Sequence, residues 1–108
     1  MQFKLLTSAV LLALANHAEA TPFFLSCNMV FQYDGTPVSN DFKIDEESRT
    51  VNGLPAQFSE SAITYKFPTK SGEMWAVFSR ITGRVTVSTE SGEIVAQGTC
   101  AISNTRKF

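Results

Sequence analysis

The chain has 108 residues, of which 44% are hydrophobic and 18% charged, and its formal net charge at pH 7 is −1. This composition is too apolar for a disordered chain and too polar for a bundle of membrane helices. A net charge so close to zero gives no basic field that would attract nucleic acid or anionic lipid. We therefore expect a globular domain with no nucleic-acid partner.

Residues 1–20 have the pattern of an export signal. Lys4 supplies the positive charge, and residues 5–15 form an apolar run. That run is shorter than the about 20 residues that a membrane-spanning helix needs. Ala18 and Ala20 place small residues at the two positions that a signal peptidase reads. We therefore predict cleavage after Ala20 and an exported protein, either periplasmic or secreted.

The predicted mature part is one β domain over residues 21–108, and we expect it to have no membrane span. The single histidine of the chain, His17, lies in the predicted signal. A chain without histidine cannot form a Ser-His-Asp or Cys-His catalytic pair, and it lacks the commonest ligand of zinc and copper. The acidic run 45–47 lacks the spaced oxygen ligands and turn glycine of a calcium loop. We therefore predict no enzyme, no catalytic residues, no metal site and no cofactor.

Two cysteines, Cys27 and Cys100, lie near the two ends of the predicted mature domain. In an oxidising compartment an isolated pair is most simply one disulfide. A bond that closes so long a loop stabilises a fold by roughly 4 kcal/mol in the chain-entropy model. The alternative is a free nucleophilic thiol, which is disfavoured because no histidine of the mature domain could activate it.

Apolar and polar residues alternate in several segments, which is the pattern of half-buried strands. The clearest segment begins at Phe23. Its apolar side consists of Phe23, Leu25, Cys27, Met29, Phe31 and Tyr33. Similar alternation predicts strands at 42–44, 63–67, 85–87 and 94–102, and Val51 fits a short one. In the last strand the predicted inward residues are Ile94, Ala96, Gly98, Cys100 and Ile102.

Glycine placement predicts where these strands turn. Five of the six glycines follow a small polar residue, a pairing that permits the positive φ angles of tight turns. Gly98 instead lies within the last strand, where it indicates a bulge or a close backbone approach. We therefore predict an all-β fold: a small antiparallel meander closed as a barrel or a sandwich, with a disulfide linking the first and last strands. Segment 52–61, which contains Pro55, could instead hold a short helical turn.

The segment 73–81 is apolar on both faces, with Trp75 on one face and Phe78 on the other. One interpretation is a central strand that is covered on both sides, or a barrel strand that is partly screened by a loop. The alternative is an exposed apolar patch bordered by Arg80, because aromatic residues beside arginine are typical of protein interfaces. Trp75, Phe78 and Arg80 are therefore the candidate binding surface.

Three motifs carry a resemblance to known proteins: the Arg-x-Thr-Gly-type hairpin at 80–83, the Gly-x-Cys ending at 98–100, and the Phe-x-Ile-Asp strand at 42–45. They resemble motifs of small exported single-disulfide all-β bacterial proteins, a group without an assigned activity. The resemblance implies a bacterial, exported protein. In size, all-β character and single disulfide, the chain is also loosely similar to periplasmic lysozyme inhibitors of the small-barrel type.

These observations favour a non-catalytic binding module or inhibitor whose partner is an unknown envelope or secreted protein. A small barrel that binds an apolar ligand is the first alternative, because 11% of the chain is aromatic. A secreted effector is the second.

Overall fold

The computed structural model describes residues 21–103, which form eight β-strands and no helix. The predicted export signal, residues 1–20, lies outside the described residues, as does the tail 104–108. The strands are β1 (Phe23–Phe31), β2 (Pro37–Asp45), β3 (Thr50–Val51), β4 (Leu54–Phe58), β5 (Ala62–Thr69), β6 (Gly72–Ser79), β7 (Arg84–Thr89) and β8 (Ile94–Ser103).

Each strand pairs antiparallel with the next one along the chain, and β1 also pairs with β8, which closes the sheet into a barrel. Phe24 shows the closure directly, because it lies opposite Lys43 of β2 and opposite Ser103 of β8. The predicted all-β meander is confirmed, and of the two predicted forms it is the barrel. Closure pairs the outer edges that an open sheet would expose.

The core is built from the inward side of each strand. On β1, Cys27 and Met29 are buried while Ser26 and Asn28 are exposed, as the alternation predicts. Tyr33, predicted on the same side, lies in the turn after β1 and is 81% exposed. The buried hydrophobic residues are Cys27, Met29, Phe42, Ile44, Val51, Ile63, Tyr65, Ala76, Phe78, Val85, Val87 and Ala96.

The seam between β1 and β8 contains both features predicted for it. Cys27 lies directly opposite Cys100, their Cα atoms are 4.0 Å apart, and the two sulfur atoms form a disulfide. Two residues earlier on β8, Gly98 lies opposite Met29. A Cβ at Gly98 would lie 2.6 Å from the Met29 Cα, so the predicted close backbone approach is confirmed.

The predictions of a helical turn in segment 52–61 and of inward side chains at the two ends of β8 are wrong. Segment 52–61 holds strand β4 and no helical turn, because Asn52 and Gly53 both have positive φ angles and reverse the chain at once. Ile94 is 42% exposed although the alternation placed it inward. The reason is a register shift between β7 and β8 at Val87. Val95 is an extra, unpaired residue of β8 at this point, so the Ile94 side chain points to the outer face. Ile102, at the far end of the same strand, is also exposed.

Three aromatic rings meet in the middle of the barrel. The Phe42 and Phe78 rings pack edge to face with centroids 5.0 Å apart, and the Tyr65 ring lies 6.2 Å from each of them. Such pairs add packing energy beyond the area they bury. We call these three rings the aromatic cluster. It divides the barrel interior into two halves, each with its own cavity.

Candidate functional site

The barrel wall opens on one side, between β2 and β5. The two strands that separate them are much shorter: β3 has two residues and β4 has five, whereas β2 has nine and β5 has eight. Within residues 21–103, no strand pairs with 37–42 on the β3 side of β2, or with 66–69 on the β4 side of β5. We call this opening the slot.

Asn52 forms the base of the slot. Its backbone N–H donates to the Lys43 carbonyl at 2.9 Å, and its side-chain Oδ1 accepts from the Lys43 N–H at 2.8 Å. One asparagine thus makes both hydrogen bonds that a residue of a neighbouring strand would make. Pairing on this side of β2 therefore ends at Lys43.

The slot leads into a cavity of about 430 Å³ in the barrel interior. Phe42 and Tyr65 of the aromatic cluster form its floor. The walls above them are mainly aromatic and aliphatic side chains: Met29, Phe31, Val38, Phe67, Met74 and Val87. The Tyr65 and Phe67 rings stack along one wall with centroids 5.2 Å apart. A cavity of this size and character fits a small apolar ligand.

A few polar groups border this cavity. Asn40 and Thr69 line it near the opening. The Tyr65 side chain is almost fully buried, and burial raises the pKa of its hydroxyl above the ordinary value, against a smaller opposing effect of a hydrogen bond with Asn52. Tyr65 is therefore uncharged at neutral pH.

Asp41 also borders the cavity, although strand alternation directs its side chain outward, to the same face as Lys43. The part of Asp41 that borders the cavity is therefore its main chain. Lys43 directs its own N–H and carbonyl toward Asn52. Alternate residues of an antiparallel strand direct these groups to the same side, so those of Asp41 and Ser39 are directed into the slot.

The opposite end of the barrel is held together by Arg80. Its Nη2 donates to both carboxylate oxygens of Glu46 at 3.1 Å, and its Nη1 donates to the Ser59 carbonyl at 3.0 Å. Three loops at this end are thus tied to one guanidinium. Beneath it is a second cavity of about 370 Å³, whose lining includes Phe78 and Leu25.

The predicted candidate surface is not one continuous patch. Phe78 is 3% exposed and belongs to the aromatic cluster, so its face of the strand is the covered one. Trp75 lies on the outer face, where Lys66 Nζ is 5.3 Å from its ring centroid. Arg80 is engaged by Glu46 and Ser59. Of the two interpretations of segment 73–81, the first agrees with the structure: the segment contains a barrel strand that is covered on its Phe78 face.

Sequence reasoning missed the residues around the slot. In the sequence, Asn52 precedes one of the turn glycines and Phe67 ends the predicted strand 63–67, and neither position indicates a binding site. Nothing in their local sequence shows that the turn lies halfway along the barrel wall, because this depends on which residues of β2 and β5 face β3 and β4. The slot exists because β3 and β4 are shorter than β2 and β5, and this comparison requires the strand pairing.

Among residues 21–103, no helix is long and apolar enough to cross a membrane. The described residues thus define a closed antiparallel barrel with a disulfide at its seam, a side opening and an apolar interior cavity. No protein-family model matches the chain, and neither a curated protein nor a solved structure matches it. The resemblances to small exported bacterial proteins and to lysozyme inhibitors stay predictions, as do the absence of enzyme activity, metal and cofactor.

Proposed function

We propose that this protein is a non-catalytic binding protein that takes an apolar ligand into the barrel interior through the slot. The observation that carries the proposal is the cavity of about 430 Å³ in the barrel interior, into which the slot between β2 and β5 leads. Barrels of this size are usually filled by their own side chains. Here the aromatic cluster fills the middle, and the half that faces the slot stays open.

The composition of the cavity supports an apolar ligand. Binding sites for small molecules are typically concave and apolar, with a few polar groups that orient the ligand. Phe31, Phe67 and Met74 supply the apolar surface, and Asn40 and Thr69 supply polar groups near the opening. Methionine side chains adapt well to ligands of varied shape.

The disulfide supports export. Disulfides form and persist in oxidising compartments, and Cys27, one half of this bond, is fully buried. We place the protein in the periplasm or outside the cell, in keeping with the predicted export signal. An apolar ligand taken up there would come from the envelope, from the medium or from another exported molecule.

Titration with an environment-sensitive naphthylamine dye tests the proposal. We expect the oxidised protein to bind the dye with enhanced fluorescence, and a medium-chain fatty alcohol to displace it. Val38→Trp, at the opening, should reduce dye affinity by about ten-fold or more by filling space that the ligand needs. Val77→Trp on the outer face of β6 is the matched control, because Val77 is 37% exposed and outside the cavity lining.

Two results would contradict the proposal: no dye binding by the folded protein, or equal loss of binding in both variants. Circular dichroism of each variant, together with its urea midpoint, shows whether a loss reflects the cavity or a failure to fold.

A further inference from the structure

We infer that the slot accepts an extended peptide, which adds to β2 as a short antiparallel strand and inserts apolar side chains into the cavity. This inference rests on the proposed function and names the ligand class. It follows from the main-chain groups at the opening, from the side-chain alternation on β2, and from the charge of Asp41.

Main-chain hydrogen bonding defines where a peptide can pair. The N–H and carbonyl groups of Ser39 and Asp41 are directed into the slot, and within residues 21–103 no strand pairs with them there. Pro37 bounds this stretch on one side because proline has no N–H, and Asn52 bounds it on the other by occupying Lys43. We call Ser39–Asp41 the open edge. It offers two N–H donors and two carbonyl acceptors, as in peptide recognition by strand addition.

The facing edge of β5 is much less suited to pairing. There the residues directed into the slot are Lys66 and Pro68, which follows from the Ala62 carbonyl accepting from Ser59 on that side. Lysine and proline are the residues with which proteins protect exposed strand edges against pairing. The open edge on β2 carries neither residue. The peptide is therefore expected on β2.

The alternation on β2 specifies the side chains of the peptide. A residue opposite Asp41 exchanges both main-chain hydrogen bonds with it, and its side chain points outward beside the Asp41 carboxylate. The two residues on either side of it lie opposite Asn40 and Phe42, so their side chains point into the cavity. Both of these should be apolar, because Phe42, Phe67 and Met74 surround them.

Charge specifies the central residue. The Asp41 side chain is exposed, and within residues 21–103 it forms no ion pair. Opposite charges directly across a strand pair stabilise the pairing, and like charges weaken it. The peptide that fits the open edge therefore has the pattern apolar-basic-apolar in an extended conformation.

A capped Ala-Phe-Lys-Phe-Ala peptide is the probe, tested by its displacement of the naphthylamine dye from the oxidised protein. We expect it to displace the dye. N-methylation of the lysine should weaken displacement by about ten-fold or more, because it removes the N–H that donates to the Asp41 carbonyl. N-methylation of the final alanine, which lies opposite Ser39 in this antiparallel pairing, should be similarly harmful. N-methylation of either phenylalanine should have little effect, since their N–H groups are directed away from β2.

Reversing the charge of the central peptide residue provides a second test. Replacing lysine with glutamate in the peptide should weaken displacement by about three- to five-fold, and Asp41→Asn in the protein should abolish the difference between the two peptides. The dye affinity of Asp41→Asn is measured separately, and displacement by each peptide is expressed relative to it.

Amide hydrogen exchange gives a readout that affinity alone does not. With peptide bound, the Ser39 and Asp41 amides should become protected. The Asn40 and Phe42 amides, which already bond to β1, should not change.

Each contrary result has a distinct meaning. Dye binding without peptide displacement would overturn this inference and leave the proposed function standing, whereas absence of both would overturn both. Equal effects of N-methylation at lysine and phenylalanine would mean that the peptide does not pair as a strand. Protection of the Asp41 amide in the protein alone, accompanied by dimerisation, would mean that a second copy of the chain occupies the open edge and would also overturn the inference.

Discussion

Gly98 and Met29 face each other across the seam of the barrel so closely that no other residue fits at position 98. A Cβ there would lie 2.6 Å from the Met29 Cα and would also collide with the Asn28 carbonyl. Both obstacles are main-chain atoms, which cannot move aside without disturbing the pairing of β1 with β8. Closure of the barrel at this seam therefore requires glycine at position 98.

Gly98→Ala should destabilise the protein by about 1–3 kcal/mol or more, because even one added carbon must displace the backbone of β1. The free energy of unfolding in urea measures the effect. Thr99→Ala, at the exposed neighbouring residue, is the control and should change stability little. Equal midpoints for the two variants would mean that the seam is not as tight as the structure shows.

Removing the disulfide with the double change Cys27→Ala and Cys100→Ala should cost about 4 kcal/mol, since the bond closes a 73-residue loop in the unfolded chain. Reduction of the unaltered protein should lower its stability to a similar level. The double variant should not respond to reductant at all. A thiol reagent that labels the denatured, unreduced protein would contradict the bond itself.

Asn52→Ala should destabilise the protein by about 1–3 kcal/mol, because alanine is strained at a φ of 53° and cannot accept from the Lys43 N–H. Asn52→Gly loses the same side-chain hydrogen bond but tolerates the positive φ. We therefore expect glycine to cost less than alanine. Urea denaturation of both variants measures the difference, and a larger loss for glycine would show that strain is not the main cost.

Stability should fall as the pH rises above about 10, through a contribution from Tyr65. Burial raises the pKa of its hydroxyl in the folded state above the ordinary value of tyrosine. The folded protein therefore retains a proton that the unfolded chain loses, and this part of the stability is present below the unfolded pKa and lost as pH rises through the folded one. Urea denaturation across this range measures it.

Tyr65→Phe should flatten that alkaline loss of stability, and Tyr33→Phe serves as the control because Tyr33 is 81% exposed. If the free energy of unfolding of Tyr65→Phe falls at alkaline pH as steeply as that of the unaltered protein, groups other than Tyr65 cause the loss of stability.

The Arg80–Glu46 pair should contribute about 1 kcal/mol or less, because both side chains are partly exposed. A double-mutant cycle with Arg80→Gln and Glu46→Gln measures their coupling energy, which should decrease at high salt. Dye binding at the slot should not change in either variant. A large loss of dye binding in Arg80→Gln would restore Arg80 to the binding surface that the sequence predicted.

Much of this fold is readable from local patterns. The alternation of Cys27 and Met29 with polar neighbours predicts an inward row because side chains on a strand point to opposite faces in turn. The pairing of Cys27 with Cys100 is predictable because the chain has only two cysteines. The error at Ile94 has an equally local cause: a bulge that inserts Val95 reverses the alternation, and no residue type signals it.

By itself, the amino-acid sequence determined the all-β class, the turns, the disulfide and the tight glycine at the seam, because each depends on residue type or on spacing of two along the chain. Tertiary structure alone decided that Phe78 is buried, that Arg80 is engaged by Glu46, and that the wall opens between β2 and β5. These features depend on register between strands and on contacts between residues far apart in the chain. Asn52 depends on both. The Asn52-Gly53 pair predicts a turn, but only the closed barrel places that turn at the base of the slot.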